Sequence, residues 1–229
     1  MIFSELGKSL RMDLIAAINI LEKFTQGNLT RTLSGLEGAA SGMSANGCAQ
    51  LLSESGIEPE ILSAASEVKR IAGQINVTIH ALGILMCLPH ILEHGEAVQY
   101  VSLGAGNTGR KFDLETNYRI AEFKFIGWRG GAEAIRQNGI FKDYFELLDE
   151  PTDKRKFLYL LGTQHALKFF NGGRALSSVL SKNEKTSTRF RAAYGDRYST
   201  VREFFDDHKD AVMVEDISAW VSALIDQER

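Results

Sequence analysis

The sequence predicts an α/β fold, and three observations carry that reading. The first ninety residues are dominated by apolar side chains at helical spacing. Three short strand-like runs then follow one another: AVQYVSL, KFDLET and RIAEFKF. A helical segment, AEAIRQNGIFKDYFELLDE, separates them from one more buried strand, KFLYLLG. The expected order is helix, three-stranded meander, helix, strand, with added N- and C-terminal helices. The 229 residues, 44% of them hydrophobic, suffice for one good-sized core.

Taken in order, Leu6, Leu10, Leu14, Ile18 and Leu21 mark an amphipathic helix, and the Gly/Ser/Thr/Asn-rich segment from about 25 to 46 reads as loop. Helical pattern resumes at Gly47 and, after Gly56, runs from Pro59 to about Leu92. Pro59 suits a first helical turn, and Pro89 falls where a kink or stop is expected. The apolar run VTIHALGILMCLPHIL is interrupted by His80 and Pro89. It falls short of the ~20 residues that span a bilayer and reads as a buried core helix, with His80 as a core histidine. Residues 1–58 form an N-terminal helical extension in this reading, 59–170 the core, and 171–229 a mainly helical C-terminal extension.

The segment GAGNTG fits G-x-G-x-x-G, a pattern that signals phosphate binding when it follows a strand and opens a helix. Here it is followed by KFDLET, which alternates like a strand. Its glycines are therefore expected to turn the chain between antiparallel strands, with no dinucleotide site.

A net charge of −3 argues against a surface that binds polyanions all over, but the window from Arg110 to Lys142 is net positive. Cys48 and Cys87 have no metal-ligand spacing and read as buried thiols of a reducing compartment. The N-terminus shows apolar residues at helical spacing and no export signal. The expectation is a soluble, cytoplasmic protein with no membrane partner; a homodimer is left open.

The chemistry lies in the spacing Asp113-x8-Glu122-x-Lys124. In RIAEFKF, strand alternation puts Glu122 and Lys124 on one face and Ala121, Phe123 and Phe125 on the other. A hairpin turning at Asn117–Tyr118 pairs Glu115 with Ile120, Leu114 with Ala121, and Asp113 with Glu122. Directly opposed carboxylates repel unless a cation sits between them. A divalent metal would serve, with Lys124 completing the cluster. The competing reading is a solvated strand face carrying a cross-strand salt bridge.

At these residues the chain resembles the PD-(D/E)XK, or restriction-endonuclease-like, nuclease superfamily. Asp113 stands at the motif aspartate, with Phe112 in place of the proline, and Glu122, Phe123 and Lys124 match the E-x-K element. The resemblance implies that Asp113, Glu122 and the Phe123 carbonyl bind Mg²⁺ (or Mn²⁺), and that Lys124 positions or activates the attacking water. It implies hydrolysis of phosphodiester bonds, with DNA the expected polymer ahead of RNA. Gln137, with Phe141 where a tyrosine would stand, looks like the Q-x-x-x-Y element of the superfamily's exonuclease-like branch, whose glutamine supports the metal-site lysine or the water.

Phosphodiester hydrolysis needs charge neutralisation and an activated nucleophile, which a hard cation on oxygen ligands supplies, and Lys124 can stabilise developing negative charge. Arg129, Arg136 and Lys142 are candidates to track phosphates, and Trp128 to stack on a base. Against these stand solvated charges, a packing amide at Gln137 and a core anchor at Trp128. The alternative for the whole chain is a nuclease fold without hydrolysis, acting as a nucleic-acid-binding or assembly subunit. A third class is an interaction module using the apolar helices.

Overall fold

The computed structural model describes residues 12–104, 111–125, 127–128 and 133–225. They divide into two units, up to Asn76 and from Val77 onward, the boundary falling inside one long helix.

The first unit is helical: α1 (Leu14–Thr25), α2 (Leu29–Ala40), α3 (Ala45–Glu54) and the start of α4 (Pro59–Ile91). The expected loop from 25 to 46 is replaced by α2 and the start of α3. Side-chain caps begin both: Asn28 Oδ1 accepts from Arg31 N at 3.0 Å, and Ser44 Oγ from Gly47 N at 3.4 Å. The glycines inside α2 cost about 1 kcal/mol each relative to alanine, which a capped helix tolerates. Neither α2 nor α3 buries a residue, so no apolar stripe announced them. Among the described residues of this unit only Ala17 and Ala64 are buried.

The second unit holds the end of α4, β1 (Val98–Val101), β2 (Leu114–Thr116), β3 (Arg119–Lys124), α5 (Ala134–Leu148) and β4 (Arg155–Leu160). Then come α6 (Gln164–Phe170), α7 (Leu176–Leu180), α8 (Glu184–Tyr194), α9 (Val201–His208), β5 (Met213–Asp216) and a short 3₁₀ turn, Ser222–Leu224. The strands form one mixed sheet in the order β1-β2-β3-β4-β5. The first three are antiparallel, and β3, β4 and β5 are parallel, each parallel pair joined by a helical crossover. Within a tail whose described residues include three helices and a 3₁₀ turn, the fifth strand is an addition that the expected mainly helical extension did not include. It is four residues long, half-buried at Met213 and Val214 and exposed at Glu215 and Asp216, too short to display alternation.

The two faces of the sheet carry separate cores. Ala121, Phe123 and Phe125 pack with Tyr159 and with Ile84, Cys87 and Ile91 of α4. Ile120, Leu158 and Leu160 pack with Phe141, Tyr144 and Phe145 of α5 and with Phe190 and Phe204 of the tail. Each such buried side chain contributes about 1.5–3 kcal/mol, so the alternation of β3 is set by burial on both sides. Gly83 lets α4 approach: a Cβ there would stand 2.5 Å from the Phe125 ring. The expected burial of α4 holds for one stripe only. Leu82, Leu85 and Met86 are exposed, because the sheet covers one side of the helix and no described element covers the other. Contrary to the expectation of a buried core helix too short to span, the 33-residue helix is long and apolar enough to cross a membrane, and only 17% of its most apolar window is buried.

The β2–β3 turn is held by side chains. Thr116 Oγ1 accepts from Tyr118 N at 2.9 Å and Arg119 N at 2.8 Å, while Asn117 Oδ1 accepts from Ala97 N at 2.8 Å. This is how Asn-Tyr, a poor two-residue hairpin sequence, turns the chain. Arg119, its side chain 3% exposed, meets the buried carboxylate of Glu96 at 2.5 Å and donates to Tyr159 Oη at 2.7 Å. The expected turn of GAGNTG lies outside the described residues, apart from Gly104, whose φ of +78 a glycine adopts readily.

Candidate functional site

The hairpin register is the one the alternation predicts: Leu114 opposes Ala121 and Glu115 opposes Ile120. Continuing it by one residue brings Asp113, just before β2, to Glu122. Asp113 leaves the ladder and uses its side chain as an acceptor, Oδ2 taking the Phe123 N–H at 3.0 Å. In a strand the N–H and C=O of one residue point the same way, so the Phe123 carbonyl lies on the edge of β3 that faces Asp113. The other oxygen, Oδ1, lies 3.2 Å from His80 Nε2 of α4. Asp113 thus receives a hydrogen bond from each of two elements.

Glu122 lies inside this frame with its side chain 13% exposed, 3.4 Å from Lys124 Nζ. Lys124 Nζ also lies 2.9 Å from Asp143 Oδ2 of α5. Asp143 is buried at 7% and meets Lys142 at 3.4 Å, while Lys142 reaches Glu146 at 3.0 Å. The result is a continuous polar chain from His80 of α4, past the carboxyls of the β2–β3 hairpin, to Lys124, Asp143 and Lys142 at α5.

The charges on these groups are unequal in origin. Burial works against ionised Asp113, but the hydrogen bonds of His80 and the Phe123 N–H, with the proximity of the His80 ring and the Lys124 ammonium, hold its carboxyl below the ordinary range. Burial pushes Glu122 the other way, up to about 8, and Asp113 and Asp143 add to the rise against the pull of Lys124. Burial lowers the Lys124 pKa; Asp143 and Glu122 outweigh it and raise the pKa, which favours the cation. The site therefore has one ionised carboxylate, one carboxyl inclined to hold a proton, and one fixed ammonium.

Among the described residues, no three His, Cys, Asp or Glu side chains form a metal-ligand set. Mg²⁺ does not require one, since it binds through one or two carboxylates and keeps waters and substrate oxygens in its remaining positions. The donor chemistry fits a hard divalent cation: two neighbouring carboxyls, one of them raised in pKa chiefly by burial and then by the other, beside a strand-edge carbonyl. Asp113, Glu122 and the Phe123 carbonyl are the groups that could hold it.

The other expected site residues are placed differently. Gln137 accepts a hydrogen bond from Arg174, and no described contact joins it to Lys124. Arg136 donates to the Gly127 carbonyl and pairs with Glu133 at 2.8 Å, tying α5 to the segment after β3. Trp128 is half-buried against the core that holds Phe169. Arg129 lies outside the described residues. Glu115, which shares the β2 face of Asp113, pairs with Lys154 at 2.8 Å.

Sequence reasoning passed over two groups. His80 was assigned to the core, although a polar side chain interrupting an apolar run is itself a signal. Asp143 stands beside Phe141, Tyr144 and Phe145 on the buried part of α5, where a carboxylate must find a cation. The chain matches no family model, no curated protein and no solved structure.

Proposed function

We propose that the chain is a Mg²⁺- or Mn²⁺-dependent nuclease of the restriction-endonuclease-like kind, a soluble cytoplasmic enzyme hydrolysing phosphodiester bonds in DNA. One observation carries the reading: Asp113 and Glu122 meet across the β2–β3 hairpin, with Lys124 Nζ 3.4 Å from Glu122 Oε2 on the same side. The element order α4, β1, β2, β3, α5, β4 supports it, being the helix, meander, helix and strand that the resemblance implies.

In this reading Asp113, oriented by His80 and the Phe123 N–H, is the permanently ionised ligand. Glu122, its pKa raised in the metal-free chain, would serve as the second ligand in its ionised form. A bound Mg²⁺ or Mn²⁺ supplies charge neutralisation at the scissile phosphate and a nucleophile stronger than neutral water. Lys124, kept charged by Asp143, is unsuited to general-base work; it stabilises negative charge developing on the phosphate as a preorganised donor. Arg136 and Lys142, with side chains 37% and 39% exposed, keep phosphate contact open to both.

The test is incubation of purified protein with single- and double-stranded DNA and RNA in Mg²⁺, Mn²⁺ or EDTA. Metal-dependent cleavage lost in Glu122→Ala is expected. Nucleic-acid binding without cleavage under either metal would instead identify a fold that serves as a binding or assembly subunit. Cleavage persisting in Glu122→Ala would move the active site elsewhere.

A further inference from the structure

Beyond the carboxylate site, a cleft of about 350 Å³ opens where the parallel strands β3 and β4 end. Its walls come from the segment that follows β3 (Trp128), from α5 (Gln137), from the α6 that follows β4 (His165, Lys168, Phe169) and from Arg174. The crevice outside the carboxyl ends of parallel strands is where open α/β sheets commonly take ligands. The volume falls at the small end of the ~300–1,000 Å³ typical of ligand pockets.

The chemistry of the walls is one-sided. Two cations and a histidine line the cleft, and among the described residues no carboxylate does. This contrasts with Lys124 and Lys142, each of which has its own carboxylate. Arg174 donates to Gln137 Oε1, a neutral acceptor that orients the guanidinium without cancelling its charge. Lys168 is exposed on the same helical face as His165.

Trp128 supplies the other half. Its ring lies 6.1 Å from His165 and 6.3 Å from Phe169. Its Nε1 is buried with no hydrogen-bond acceptor among the described residues. A phenylalanine would fill a packing position without that cost, so what the indole adds is aromatic surface at the cleft.

We propose that this cleft holds one unstacked nucleotide of a single-stranded nucleic acid, its base against Trp128 and its phosphate between Lys168 and Arg174. An aromatic face with convergent cations is the arrangement that binds single strands, and a base locked in a duplex has no free face to offer. The proposal deepens the nuclease reading by naming single-stranded polymer, or a strand end, as the substrate class, and it rests on that reading for its role in catalysis. Binding itself requires no hydrolysis.

The experiment measures polarisation of a labelled oligothymidylate, and of a duplex of equal length, in EDTA across a salt series. The single strand should bind more tightly than the duplex. Trp128→Leu should weaken it about tenfold, as loss of one base stack does. Lys168→Ala, at an exposed position that does not threaten folding, should weaken it too and flatten the log–log salt slope by about 0.7, one single-strand phosphate contact. Arg174→Ala should act in the same direction. Preference for duplex, or an affinity and slope unchanged in Lys168→Ala, overturns the proposal. Wild-type cleavage in Mg²⁺ separates the two readings: cutting with Lys168→Ala unaltered in binding sinks the cleft and keeps the nuclease, whereas cleft-dependent binding without cutting sinks the nuclease and keeps the cleft.

Discussion

Lys124 Nζ lies 2.9 Å from Asp143 Oδ2, a contact between the end of β3 and the middle of α5 that gives the site its permanent cation. The lysine would otherwise be free to turn toward solvent, since 37% of its side chain is exposed. Asp143 orients the ammonium and raises its pKa while itself buried, so the pair holds both charge and direction at the end of the central strand.

Lys124→Ala should therefore lower turnover by about two orders of magnitude, the effect of losing one electrostatic stabiliser, while affinity for nucleic acid in Ca²⁺ falls far less. Single-turnover cleavage and binding titrations check this. Equal losses in both would make Lys124 a backbone clamp.

Asp143→Ala removes both the largest charge that raises the Lys124 pKa and the contact that directs its ammonium. Turnover should fall about tenfold or more, with a stability loss of about 1–3 kcal/mol, below the range for a fully buried pair because the lysine is partly exposed. Denaturant unfolding beside kinetics separates the two effects; unchanged turnover would show that the lysine needs no positioning.

Glu122 makes the metal-free protein pH-sensitive. Its carboxyl is raised from an ordinary 4.5 to about 8, chiefly by burial and then by Asp113. A raised folded pKa means that the protonated form stabilises the fold at low pH, and this contribution is lost as pH rises through about 8. In EDTA, the Tm of the wild type should decline between pH 5 and about 8.5 relative to Glu122→Gln, and Mg²⁺ should reverse much of the decline. Parallel pH profiles for the two proteins would contradict the assignment.

His80→Ala removes the hydrogen bond at Asp113 Oδ1. Loss of a group that orients a metal ligand typically costs about 10–100-fold in metal affinity or activity. The Mg²⁺ concentration for half-maximal cleavage should rise accordingly, and His80→Gln should restore part of it. An unaltered metal requirement would return His80 to a packing role.

Gly83→Ala tests the seating of α4 on the sheet. The new Cβ would meet the Phe125 ring at 2.5 Å, and overpacking of this kind costs about 1–3 kcal/mol. The loss should appear in thermal unfolding even where Mg²⁺ is saturating.

The alternation in RIAEFKF and the spacing back to Asp113 were enough to predict β3, its two faces and the hairpin register, because period-two burial leaves a strand flanked by two cores only one arrangement. Pro59 likewise marked the start of α4. Sequence could not show α2, whose glycines imitate loop and which buries no stripe, nor β5, whose four residues pair with a strand more than fifty positions earlier. The partners of the charged residues were equally out of reach. That His80 turns to Asp113, that Asp143 takes Lys124, and that Gln137 goes to Arg174 depends on which helix lies over which strand, and local pattern carries no information about contacts between distant segments. Local periodicity determined which residues share a face; packing of α4 and α5 against the sheet decided which charges meet, because only there does burial make an unpaired charge too costly to leave alone.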